Sequence, residues 1–190
     1  MEMNSFIKVY DNMLPLKSLS VLIKVLNKKI YEKAGIVGDG NNLKVDENIR
    51  KVSKYQLSNT SKSMTDVKWA NVLMCLFRQQ IKKYYIDLNM PAYNVGPIRE
   101  MEALRYGEGC FYGYHHDHFD TIPRQLSLIY LLNNDYEGGE LEFKNYHMDK
   151  SLKINTQANR LIIWPSSFLF PHRVNKVIKG TRYSIVSWMY

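Results

Sequence analysis

Cysteine is scarce in this 190-residue chain: Cys75 and Cys110 are its only two, and they form no C-x-x-C pair. A zinc site built on cysteines needs such pairs, so that class is excluded. Two thiols, one inside an apolar helical pattern and one beside a strand pattern, are expected to stay reduced, as in cytosolic proteins. Long apolar runs are missing as well. No stretch reaches the roughly 18 apolar residues of a membrane span. The first five residues carry no basic segment followed by an apolar run, so a signal peptide is not expected. A soluble, cytoplasmic chain without a membrane partner is the expectation. Internal repeats and low-complexity linkers are also absent, which argues for one unit over residues 1–190 rather than two tethered ones.

What is present is ordinary in bulk and uneven in detail. Hydrophobic residues make up 45% and charged residues 23%, the balance of a globular protein with a sizeable core. Aromatics reach 13%, and 14 of them are tyrosines, which suits strands and a cleft. The net charge of +8 is concentrated in the first half: residues 1–98 hold 15 basic and 8 acidic side chains, against 11 and 10 in residues 99–190. A basic excess can serve an acidic partner or nucleic acid. Here Lys28-Lys29 and Lys82-Lys83 fall near expected helix ends, where cations favour the helix dipole, so a solvated surface accounts for it.

Period separates the two halves. Leu19, Leu22, Ile23 and Leu26 recur at helical spacing between Leu14-Pro15 and Asn27, with the proline tolerable in a first turn. The glycine-bearing stretch from Gly35 to Asn42 reads as a loop, and Arg50 to Leu57 as a strand. Ser63 with Asp66 three residues on has capping-box spacing. Val67, Ala70, Leu73, Met74, Phe77 and Ile81 then form a core stripe, ended by Asn89 and Pro91. In the second half, short β-rich runs recur: Met101–Tyr106, Phe111–Phe119, Leu126–Leu132, Glu140–Phe143, Leu161–Trp164, Ser167–Phe170 and Tyr183–Trp188. Gly107-Glu108-Gly109, Asn133-Asn134-Asp135, Gly138-Gly139 and Lys179-Gly180 separate them. Such spacing predicts a sandwich or barrel. The expected fold is α+β: a double-stranded β-helix, or jelly roll, on residues 99–190, with the helices of residues 1–98 packed on one face as a mainly helical support.

The chemistry-bearing residues lie among these strands. His115 and Asp117 stand in Tyr112-Gly113-Tyr114-His115-His116-Asp117, and alternate residues of a strand point the same way. His172 stands in Phe170-Pro171-His172-Arg173-Val174, 55 residues beyond Asp117, so only folding can bring it close. Two imidazole nitrogens and a carboxylate hold one face of Fe(II) and leave the opposite face open for a co-substrate and O2. Arg182, ten residues past His172, can hold a co-substrate carboxylate. By geometry alone His116-x-His118 and His118-x-Asp120 compete with His115-x-Asp117 for the first two positions, and an exposed polar strand end stands beside all three.

The blocks Tyr106-Gly107, Phe111 to Asp117, Arg124-Gln125-Leu126-Ser127, Leu132-Asn133-Asn134-Asp135-Tyr136-Glu137-Gly138-Gly139-Glu140-Leu141, Pro171-His172-Arg173-Val174 and Gly180-Thr181-Arg182-Tyr183-Ser184 through Trp188 occur in this order. Together they resemble the iron- and 2-oxoglutarate-dependent dioxygenases of the prolyl 4-hydroxylase-like branch over roughly residues 99–190. Val9 to Pro15 is similar to the opening of bacterial and phage members. The resemblance selects His115, Asp117 and His172 as metal ligands and gives Arg182 the distal carboxylate of 2-oxoglutarate. A bidentate guanidinium–carboxylate pair is worth ~1.5–3 kcal/mol and also fixes orientation. Ser184, two residues on, is placed to hydrogen-bond the same carboxylate. Tyr106 and Leu141 match pocket-lining positions, and Trp188 a tryptophan near the site. The implied cofactor set is Fe(II), 2-oxoglutarate and O2, with ascorbate as an accessory. His116, His118 and Asp120 have no required part.

The chain also departs from the family. Animal oxygen-sensing members carry a 2-oxoglutarate-binding tyrosine where this chain has Leu131, and Tyr130 is expected to face the other way. The activity implied is hydroxylation of an unactivated C–H bond with succinate and CO2 as co-products. A prolyl residue of a peptide or protein is the first substrate expected; a free amino acid or other small molecule is the second. A nucleic acid is disfavoured, because the repair demethylases carry a second arginine where this chain has Trp188. A cupin-like metal module without oxygenase activity is the alternative of another class, and it has no need of Arg182.

Overall fold

A computed structural model describes residues 3–37, 43–91, 94–145, 147 and 149–190. A 3-10 turn (Met3–Phe6) leads into β1 (Lys8–Tyr10), α1 (Leu16–Asn27), β2 (Glu32–Lys33), β3 (Ile36–Val37), β4 (Leu43–Lys44), β5 (Arg50–Lys51), β6 (Ser53–Gln56) and α2 (Met64–Asp87). Then come β7 (Ile98–Tyr106), β8 (Phe111–His115), β9 (Leu126–Leu131), β10 (Glu137–Gly138), β11 (Leu141–Lys144), β12 (Ser151–Ile154), β13 (Arg160–Pro165), β14 (His172–Val174), β15 (Val177–Lys179) and β16 (Arg182–Met189). The larger sheet has the order β1-β13-β9-β16-β7-β6-β2, and the smaller β12-β11-β14-β8-β5. Their facing arrangement, with antiparallel pairs throughout, is a double-stranded β-helix core with two helices packed against it.

The helices form where the apolar period places them. Pro15 precedes α1, whose Leu19, Leu22 and Leu26 are buried. Ser63 caps α2, its hydroxyl accepting from the Asp66 amide. Asp66 itself is buried and ties three elements together: Tyr55 Oη donates to it at 2.6 Å, Ser61 Oγ at 3.2 Å, and Lys29 at the end of α1 pairs with it at 2.6 Å. Asn89, in the left-handed region with φ 53, follows the Leu88 cap and turns the chain away.

Two cores result. One lies between the helices and the outer face of the larger sheet, where Leu73, Phe77 and Ile81 meet Leu128, Tyr130, Leu161 and Ile185. The other lies between the sheets, with Ile129, Leu131, Ile162, Trp164, Phe143 and Val186. Strands β9 and β13 feed alternate residues to each, which is why Leu126–Leu131 is an unbroken apolar run with one serine in it: all six residues are buried.

Several expectations need correction. Ile36 and Val37, read as loop, pair as β3 with β4; the rest of that loop, residues 38–42, lies outside the described residues. Arg50–Leu57 is two strands: β5 joins the smaller sheet and β6 the larger, with buried Val52 at the crossover. The first half is thus more than helical support, since β1, β2, β5 and β6 extend both sheets. Ser167–Phe170 is a turn that leaves Phe168 and Leu169 exposed. The run Phe111–Phe119 leaves the sheet after His115. Cys75 lies on the exposed face of α2, where Trp69 and Tyr84 join the stripe instead. No described helix is long and apolar enough to cross a membrane.

Candidate metal centre and co-substrate pocket

Register brings the two histidines together. In the β14–β8 pair His172 stands directly opposite His115, and the register shifts by one residue between that pair and the pair of Val174 with Tyr112. Their ring centroids are 4.2 Å apart. Asp117 reaches them from beyond the strand end. Its backbone N–H donates to Ser166 O at 3.2 Å, and the His118 N–H donates to the same oxygen at 3.0 Å. Asp117 Oδ1 lies 3.7 Å from His115 Nε2, and Oδ2 3.5 Å from His172 Nε2. One ligand atom from each residue falls within 4.8 Å of the others.

Each ring has a defined free nitrogen. The Nδ1 of His115 is 2.9 Å from Gly113 O, and that of His172 is 3.0 Å from Phe170 O. A carbonyl accepts only, so Nδ1 carries the proton and each Nε2 presents a lone pair. Packing fixes the planes. Tyr112 stacks on His115 at 3.6 Å and 16°, with the Arg50 guanidinium 4.6 Å from the far side of that tyrosine. Trp164 meets His172 edge-on at 4.9 Å.

Electrostatics favour the metal-binding protonation states. Burial, with His172 next, lowers the His115 pKa to about 3, so the ring is neutral. Burial opposes ionisation of Asp117, but His172, His115 and the Ser127 hydroxyl outweigh it and hold the carboxyl at about 2. Ser127 Oγ donates to Asp117 Oδ2 at 2.7 Å and lies 2.7 Å from Ser166 Oγ. Ser127 closes the Arg124-Gln125-Leu126-Ser127 block, which assigns it no role, and Ser166 stands in no block.

The competing residues do not assemble. His116 Nδ1 is 2.8 Å from His118 O, and His118 Nδ1 is 2.8 Å from Arg124 O, so both rings are tied to loop carbonyls. Asp120 is exposed.

A cavity of about 340 Å³ opens onto the triad and is lined by Tyr106, Tyr112, Phe119, Arg124 and Trp188 among others. Arg124 spans its wall, with the guanidinium 3.7 Å from the Trp188 ring and an ion pair to Glu100. Leu141 does not line this cavity; it packs between the sheets opposite Val174 and Ile154. Leu131 also lies between the sheets, whereas Tyr130 points to the helices and donates to Asn159 Oδ1 at 2.6 Å.

Arg182 is fully buried on the inner face of β16, opposite Tyr106 on β7, with its guanidinium 5.1 Å from that ring. Nη1 donates to Ser184 Oγ at 2.8 Å, while Nε and Nη2 have no partner among the described residues. A buried cation with two free donors is costly unless an anion completes it. The donor set therefore fits a carboxylate here, and the two imidazoles with one carboxylate fit Fe(II).

A double-stranded β-helix with a two-histidine, one-carboxylate group between its sheets defines a class of mononuclear metal proteins. Residues 101–190, which include all four site residues, match the model of the 2OG-Fe(II) oxygenase superfamily. A PKHD-type hydroxylase of Psychrobacter sp. (strain PRwf-1) is 32% identical over 148 residues, covering 72% of this chain and 54% of that protein. Another, of Picosynechococcus sp. (strain ATCC 27264 / PCC 7002 / PR-6), is 40% identical over 89 residues, 45% of this chain and 39% of that one. The chain thus spans about half or less of these relatives. Among solved structures, a Pseudomonas putida prolyl-4-hydroxylase superposes with a TM-score of 0.72 at 18% identity, covering 96% of this chain and 91% of that one. A Trichoplax adhaerens prolyl hydroxylase, in complex with a hypoxia inducible factor peptide fragment, gives 0.75 at 17% over 98% and 84%. Residues 101–190 thus carry the 2OG-Fe(II) oxygenase superfamily match, and the chain is similar in sequence to PKHD-type hydroxylases and in fold to prolyl hydroxylases.

Proposed function

We propose that this chain, as one unit over residues 1–190, is an Fe(II)- and 2-oxoglutarate-dependent hydroxylase of an unactivated C–H bond, acting on a prolyl residue of a peptide or protein. The observation that carries the reading is the coincidence of the His115, Asp117 and His172 ligand set with a buried arginine whose Nε and Nη2 lack an acceptor among the described residues. A metal module without a co-substrate has no use for that arginine. When bound, Fe(II), 2-oxoglutarate and O2 supply an oxidation that puts one oxygen atom into the substrate C–H bond and the other into succinate, with loss of CO2.

The chain's own residues bind, orient and exclude water. His115 and His172 offer Nε2 because Gly113 O and Phe170 O occupy their Nδ1 protons. Ser127 donates to Asp117 Oδ2 and so fixes the carboxylate that would hold the metal. Arg182 takes the distal carboxylate, and Ser184 acts through it by accepting from Nη1. Tyr112, Phe119 and Trp188 contribute aromatic lining to the cavity, which suits an uncharged ring such as proline. The peptide reading draws support from the names of the PKHD-type relatives and from the Trichoplax protein's peptide complex.

The test is an anaerobic Fe(II) titration with and without 2-oxoglutarate. A metal-to-ligand charge-transfer band that needs both is expected; no 2-oxoglutarate binding to iron-loaded protein overturns the reading. Arg182→Ala should keep iron and raise the 2-oxoglutarate requirement. Mass spectrometry of a peptide library should show a gain of one oxygen on proline. A gain confined to free amino acids overturns the peptide assignment.

A further inference from the structure

The loop between β9 and β11 brings a second donor group to Arg182. The Tyr136 hydroxyl is enclosed and has no hydrogen-bond partner among the described residues. Its ring and the arginine stem converge on one backbone position. A methyl group placed on Gly139 would stand 3.3 Å from Tyr136 Cε2 and 3.1 Å from Arg182 Cδ. Gly139, at φ +66, leaves that space open, and Gly180 at φ +82 lets the turn close over Tyr136 Cα and Cβ, 3.3 Å from where its own methyl would be. The phenol is raised in pKa by burial, against the opposing pull of Arg182, and so stays protonated. A guanidinium can only donate. Whatever contact the two groups make, the phenolic hydrogen is left over, beside the unpartnered Nε and Nη2 of Arg182.

Three enclosed donors with no acceptor make an oxyanion receptor awaiting its anion. At Leu131, where a tyrosine serves in some relatives of the fold, there is no hydroxyl to contribute. We propose that Tyr136 donates its phenolic hydrogen bond to the distal carboxylate of 2-oxoglutarate, sharing that group with Arg182. This rests on the 2-oxoglutarate reading above. The turn after β9 thereby closes over the co-substrate end, and Gly139 within it, with Gly180 in the β15–β16 turn, is the condition for both side chains to meet there. The carboxylate would take the two arginine hydrogens and the phenolic one, while Ser184 keeps Nη1 in place.

The experiment is Tyr136→Phe in full-length, Co(II)-loaded protein, which binds without turning over. Calorimetry with 2-oxoglutarate is compared with calorimetry using oxalate, which has the metal-chelating end and no distal carboxylate. Loss of a hydrogen bond to a charged group should weaken 2-oxoglutarate about tenfold or more, with oxalate affinity unchanged. Equal 2-oxoglutarate affinity in wild type and variant overturns the Tyr136 assignment and leaves the oxygenase reading intact. Failure of the wild type to bind 2-oxoglutarate sinks both. A parallel loss of both ligands marks a fold or metal defect and also counts against a role at the carboxylate. Tyr136→Trp, which keeps a buried aromatic and a donor at a different reach, should fall below Tyr136→Phe for 2-oxoglutarate while still binding oxalate; affinity equal to wild type would refute the stated geometry.

Discussion

Ser127→Ala isolates the least conspicuous part of the metal site. Ser127 lies on β9 between Trp164 and Trp188 on the neighbouring strands, and only its Oγ meets the ligand set. That oxygen donates to Asp117 Oδ2 at 2.7 Å, the same carboxylate oxygen that lies 3.5 Å from His172 Nε2. Removing it leaves a buried carboxylate with its orientation held only by the backbone bonds to Ser166 O. A hydrogen bond to a charged group is worth about 1.5–3 kcal/mol. Loss of a partner that orients a metal ligand typically costs about 10–100-fold in metal affinity, or about 1.4–2.7 kcal/mol. The two routes agree, so Ser127→Ala should weaken Fe(II) binding by about 10–100-fold. The assay is anaerobic competition with a chromophoric chelator, alongside thermal unfolding of the metal-free protein. Ser166→Ala removes only a hydroxyl that meets Ser127 Oγ and keeps the carbonyl that accepts from the Asp117 amide, so it should have a smaller effect. Metal affinity unchanged in Ser127→Ala, with the fold intact, would refute the claim that this hydroxyl orients Asp117.

His172→Ala should abolish iron binding and turnover together, since it removes one of two nitrogen ligands; full retained activity in an iron-dependent assay would refute its assignment. Gly139→Ala should destabilise by about 1–3 kcal/mol in urea unfolding, because alanine is strained in the left-handed region. Its methyl would also stand 3.0 Å from Val177 Cγ2 and 3.1 Å from Arg182 Cδ, and an unchanged unfolding midpoint would contradict that crowding. Glu142, buried on the far side of β11, is opposed in ionisation by burial, but Asn175, Arg173 and Tyr114 hold it at about 2, against 4.5 for a free carboxyl. A lowered folded pKa gives stability that is complete above the unfolded value and disappears as pH falls from about 4.5 to about 2, amounting to about 2–3 kcal/mol. Glu142→Gln should flatten that part of the acid limb in denaturation measured by circular dichroism, and an acid limb identical to wild type would rule out the linkage.

How far the chain could be read without coordinates depended on whether its signals were local. The α2 stripe through Leu73, Phe77 and Ile81 is a repeated period, and Ser63 with Asp66 marks its start, so the helix was legible from end to end. The strands β9, β13 and β16 are apolar runs bounded by turns and were legible too. Phe168-Leu169-Phe170 has the same apolar look, yet it forms a turn, because Ser166 must face Asp117 and the chain must come back to place His172 opposite His115. Strands of two residues such as β2 and β5 have no period to detect; only a neighbour across the sheet makes them strands. Asp117 matched strand alternation for the wrong reason. It lies past the end of β8 and is aimed by Ser166 O and Ser127 Oγ, neither of which its own segment supplies.

The same distinction separates the two ends of the proposed co-substrate site. The metal end is built from residues whose chemistry announces itself: histidine, aspartate and a spacing that lets them share an ion. The far end depends on absence of side chain as much as on its presence. Gly139 and Gly180 read only as turn formers, and Tyr136 stands in its block with no role assigned. Folding gives it one, because two left-handed glycines on adjoining turns let Tyr136 come against the buried Arg182. An arginine left with two free donors then does what no motif can: it indicates that the anion it awaits comes from outside the chain, and that any donor enclosed with it faces the same anion.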